Sequence, residues 1–60
     1  MKEKIRALRE SKGMTQTELA EALGVDQTTV SAWERGVAEP TLANLRRLAD
    51  VLGIAPGDLL

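Results

Sequence analysis

The sequence predicts an all-α domain of five short helices, a single unit covering residues 1–60. Three observations predict it. Apolar residues recur at three- and four-residue intervals, and no stretch alternates as a half-buried strand would. Glycines at 13, 24, 36 and 53 close successive periodic stretches, where a helix often stops in a left-handed conformation. Thr15, Asp26 and Thr41, all good helix-capping residues, stand at the start of the stretches that follow.

The first helix is expected over about Lys2–Ser11, with Ile5 and Leu8 facing inward and Gly13 ending it. The second starts at Thr15. Thr15-Gln16-Thr17-Glu18 reads as a capping box, in which the Thr hydroxyl and the Glu carboxylate each satisfy a helix-end N–H. Met14 and Leu19 are spaced as a hydrophobic staple across that cap. Ala20 is small enough to let a neighbouring helix approach, and Gly24 stops the helix. Asp26 is expected to cap the third helix, with Val25 and Val30 as a second staple. Val30 and Trp33 share its inward stripe, and Gly36 ends it. Pro40-Thr41 opens the fourth, whose inward stripe reads Leu42, Leu45, Leu48, Ala49 and Leu52. Pro56, suited to a first helical position, begins a short fifth helix carrying Leu59 and Leu60.

Composition excludes several classes of function. The chain has no Cys and no His, so disulfides, the usual zinc ligands and the common nucleophile–base pairs are missing. No enzyme, metal site, cofactor or small-molecule ligand is expected. The lack of Cys suits a reducing cytoplasm. No apolar run approaches the roughly 18 residues of a membrane span, and the charged, periodic N-terminus is not a secretory leader. The net charge is −1, unevenly spread. Residues 1–14 carry five cations against two anions. Residues 15–39 carry Arg35 alone against Glu18, Glu21, Asp26, Glu34 and Glu39. Any phosphate binding must then lean on Arg35, the cations of the first helix and backbone N–H groups.

Residues 16–35, QTELAEALGVDQTTVSAWER, hold the densest set of constraints. A bundle hairpin accounts for any one of Ala20, Gly24, Asp26, Val30 and Gly36. Their coincidence describes two short helices joined by a sharp turn, an arrangement that holds the second helix out for a DNA major groove.

The run IRALRESKGMTQTELAEALGVDQTTVSAWERG, then P-T-L-x-x-L-x-x-L-A-x-x-L-G, is similar to the helix-turn-helix domains of the phage repressor and Cro type, the XRE-like family. The resemblance covers nearly the whole chain. It implies a five-helix repressor-like domain that binds double-stranded DNA sequence-specifically and regulates or represses transcription. The third helix would enter the major groove and the second would lie across the backbone. Gln16 matches the family's phosphate-binding Gln and sits beside unpaired helix-end N–H groups. Thr17, Thr29, Arg35, Thr41 and Asn44 would join it on phosphate. In that role Gln16→Ala would weaken all sequences alike, since phosphate carries no sequence information. Gln27 and Thr28 would read base edges, with Ser31 and Ala32 one turn on. A Gln amide suits adenine, and Thr can offer a methyl to thymine. Arg9 and Glu34 match a structural ion pair between the first and third helices. The resemblance also implies a homodimer on two half-sites, with Val51, Ile54 and Leu60 in the region available for it. One departure is the loop Val37-Ala38-Glu39, where many relatives carry Lys or Arg and this chain has no cation. With the acidic balance of residues 15–39, it keeps open the alternative of a protein-interaction module on the same fold without DNA affinity. The clean caps would equally suit a designed domain.

Overall fold

Caps and glycine stops divide the apolar periodicity into short helices. In the computed structural model, which describes residues 2–59, α1 spans Lys2–Ser11, α2 Gln16–Leu23, α3 Gln27–Arg35 and α4 Leu42–Leu52. A 3-10 turn, Pro56–Leu59, follows. No strand occurs among the described residues. The architecture is therefore four α-helices and one 3-10 turn, which corrects the expectation of five helices. The reason is local. Pro56 contributes no N–H, and Asp58 closes the tighter ring by donating to the Ala55 carbonyl at 2.9 Å. Leu59 still serves the expected purpose and is fully buried. Leu60 lies outside the described residues.

The start of α2 is a capping box. The Glu18 N–H donates to Thr15 Oγ1 at 3.0 Å, and the Thr15 N–H donates to Glu18 Oε1 at 2.9 Å. Its end is a left-handed stop. Gly24 has φ +73°, which a residue with a Cβ reaches only at a cost, and the Val25 N–H returns to the Ala20 carbonyl at 3.0 Å. Only residues 24–26 separate α2 from α3, and the two helices pack against each other. Asp26 occupies the N-cap of α3 with extended backbone, but its side chain makes no capping hydrogen bond. This corrects the expected cap. The Thr29 N–H, which such a cap would take, already donates to the Asp26 carbonyl at 3.0 Å.

The core is built from Ile5 of α1; Leu19, Ala20 and Leu23 of α2; Val30 and Trp33 of α3; Leu45, Leu48, Ala49 and Leu52 of α4; and Leu59. Leu8, Met14, Val25, Val51 and Ile54 pack against it half-buried. Both staples thus have one member in the core and one on its margin. Leu42 departs from the expected inward stripe and is 64% exposed. Leu45 is already the least covered core residue, so the first turn of α4 projects past the core. Val37 of the α3–α4 loop is similarly exposed.

Candidate nucleic-acid interface

Burial of Val30 and Trp33 decides which face α3 shows to solvent. Gln27, Ser31 and Arg35 follow at four-residue spacing along one strip, with Thr28 and Ala32 on the strip beside it. Gln27, Thr28 and Arg35 are exposed, while Thr29, Ser31 and Ala32 are half-buried. Arg35 Nε donates to Ser31 Oγ at 3.2 Å, so a cation and a hydroxyl share the strip.

A chain of polar side chains ties this face to the scaffold. Arg9 Nε donates to Glu34 Oε2 at 2.6 Å and Nη2 to Oε1 at 3.1 Å, a bidentate pair across 25 residues. Arg9 Nη1 donates to the Met14 carbonyl at 2.7 Å. Gln16 Nε2 donates to Glu34 Oε1 at 3.0 Å, and Gln27 Nε2 donates to Gln16 Oε1 at 2.5 Å. The links through Gln16 were not foreseen in the sequence. The one hint was that Gln16 and Gln27 each occupy the first position of a helix.

The Arg9 and Glu34 side chains are only 10% and 4% exposed. Burial alone would raise the Glu34 carboxyl's pKa. Hydrogen bonds from Arg9 and Gln16, with the charges of Arg9 and Arg6, outweigh it and hold Glu34 below the usual carboxylate range. Since the folded value is depressed, the pair's contribution is complete above the unfolded value near 4.5 and is lost as pH falls through the folded value. Thermal unfolding between pH 7 and pH 2 should therefore show a loss of stability beginning near pH 5. Glu34→Gln should flatten that part of the profile, and an unchanged profile would show that Glu34 is not the titrating group.

The other candidate phosphate residues lie at helix starts. Thr17 is in the first turn of α2 and exposed. Thr41 is the N-cap of α4, its hydroxyl oxygen accepting from the Asn44 N–H at 3.2 Å. Asn44 is half-buried. Val51 and Ile54 are partly covered by the core, and Leu60, the third residue considered for a dimer contact, lies outside the described residues.

The helix-turn-helix family model matches residues 5–59. The chain belongs to the helix-turn-helix family. Among its relatives in that family is the HTH-type transcriptional regulator DicA of Escherichia coli, 46% identical over 54 residues that cover 90% of this chain and 40% of DicA. The P22 c2 repressor protein, solved in complex with a synthetic operator, matches with a TM-score of 0.94 and 37% identity over 98% of this chain and 89% of that one. SinR, a master regulator for biofilm formation solved in complex with DNA, matches with a TM-score of 0.92 and 31% identity over the whole of both chains. The chain spans less than half the length of DicA.

Proposed function

We propose that this helix-turn-helix domain binds double-stranded DNA sequence-specifically, with α3 in the major groove, and that it regulates or represses transcription in the cytoplasm. The observation that carries the reading is the exposed N-terminal end of α3. It presents Gln27 and Thr28 to solvent while Glu34, further along the same helix, is locked to α1. A helix held in that way can insert as a rigid body and place its first residues on base edges. That the P22 c2 repressor was solved with a synthetic operator and SinR with DNA supports DNA as the partner. In the proposed docking, Gln27 and Thr28 read bases, with Ser31 and Ala32 beside them. Gln16, Thr17, Thr29, Arg35, Thr41 and Asn44 lie toward phosphate, and two copies occupy two half-sites.

Selection of bound duplexes from a random pool, followed by titration at several salt concentrations, tests the reading. Each phosphate neutralised contributes about −0.9 to the log–log slope. Arg35 is the only cation in residues 15–39, so we expect a slope corresponding to only a few contacts per monomer. Binding that does not change with salt would rule out DNA as the partner. Exposed Val37 and Leu42 beside a cation-free loop favour the second reading, a protein-interaction module, in that outcome.

Within the first reading, Gln27→Ala should relax the preference at one base pair by about 1–3 kcal/mol. Equal weakening on all four bases would remove Gln27 from base readout.

A further inference from the structure

We infer that Ser31 is a positioning residue for DNA affinity: its hydroxyl aims the Arg35 guanidinium at a backbone phosphate and does not itself read a base. The inference rests on the DNA-binding reading and deepens it at one residue of α3.

Arg35 ends α3 and is exposed. A long exposed side chain samples many rotamers, and holding it on one target costs entropy. In this chain that cost matters, because Arg35 is the only cation in residues 15–39 and phosphate contacts dominate affinity. Ser31 sets the side chain in advance. Its Oγ accepts from Arg35 Nε at 3.2 Å across one helical turn. Helical side chains lie back over the turn before them, so the stem of Arg35 passes position 31. Ser31 is half-buried, whereas residues 36–39 of the loop that follows are exposed, so its hydroxyl is the better-fixed point. The bond takes only the Nε–H. A guanidinium has five N–H groups, so those on Nη1 and Nη2 remain. Glu34, the neighbouring carboxylate, is taken by Arg9, and no ion pair among the described residues includes Arg35. One N–H from each Nη lies along the outer edge of the fork, and the two together match two oxygens of one phosphate.

Four proteins test this: Ser31→Ala, Ser31→Thr, Arg35→Ala and the double variant Ser31→Ala/Arg35→Ala. Affinity is measured for the duplex preferred in the selection and for its single-base-pair variants, at several salt concentrations, under conditions where circular dichroism shows folded protein. Ser31→Ala removes the hydroxyl and installs a better helix former, so the fold is retained and the loss is read in binding. Ser31→Thr keeps a hydroxyl at the same position.

Ser31→Ala should bind every duplex roughly two- to fivefold more weakly, with base preference unchanged. Ser31→Thr should bind as the wild type does. Arg35→Ala should weaken every duplex further and make the salt slope shallower by about 0.9. In an Arg35→Ala background, Ser31→Ala should have no effect. A change of preference at one base pair on Ser31→Ala would make Ser31 a base reader and overturn the inference alone. Loss of preference for a guanine on Arg35→Ala would do the same, since guanine O6 and N7 also match the outer edge of the fork. So would an equal loss from Ser31→Ala with and without Arg35, or no loss at all. A wild type that binds no duplex would overturn both the inference and the DNA-binding reading.

Discussion

Glu34→Ala is expected to cost about 3–5 kcal/mol of folding stability, the range for removing one partner of a buried ion pair. It leaves the Arg9 guanidinium, whose side chain is 10% exposed, with its bond to the Met14 carbonyl but without its bidentate counter-ion. A 60-residue domain without a disulfide or metal is itself expected to be worth only about 3–5 kcal/mol, so the variant should be largely unfolded at 25 °C. Arg9→Ala should do comparable damage by leaving the Glu34 carboxylate buried without its counter-ion. The double substitution should cost much less than the sum, because it leaves neither charge stranded. Urea unfolding of the three variants measures this coupling. Strictly additive losses would mean that the pair, although 2.6 Å apart, does not hold the fold together.

Trp33→Ala should be about as damaging, at about 3–5 kcal/mol. Trp33 is 3% exposed and is the only aromatic in the chain, so no other ring can swing in to fill the space. The cavity would open beneath α3, so the helix that presents Gln27 and Thr28 would lose its seat along with the stability. Far-UV circular dichroism is the right probe, since the substitution removes the chain's only tryptophan fluorophore. Leu42→Ala is the internal control, with an effect within about 0.5 kcal/mol because Leu42 is already exposed. If Trp33→Ala proved as mild as Leu42→Ala, Trp33 would not be part of the core that orients α3.

Features carried by hydrogen bonds three to six residues long were the ones legible in advance. Thr15 and Glu18 are three apart, and their residue types suffice to close a capping box. Gly24 and Gly36 each end a helix at a φ of +73°, because the left-handed stop needs only a residue without a Cβ. Where local reasoning failed, a competing local bond or the limit of the core was responsible. Asp26 has the right type for a cap, but the backbone carbonyl took the donor. Leu42 continues the periodicity of α4, yet no element extends far enough to cover it. Pro56 was read as a helix start, but the chain there forms only one 3-10 turn.

By itself, the sequence determined an all-α chain, the stops and most of the starts of its helices, and the apolar stripes that face inward from Leu45 onward in α4. It also marked Gln27 and Thr28 as the first residues of the helix after the sharp turn. Tertiary structure alone decided how that end is held. Gln16 and Glu34 are 18 residues apart, and Gln16 and Gln27 are 11 apart. Neither spacing belongs to a helical period. The contacts exist because the α2–α3 turn and the packing of α1 on α3 bring three separate helices to one point. Periodicity registers neighbours along one helix, and these side chains became neighbours only when the helices packed.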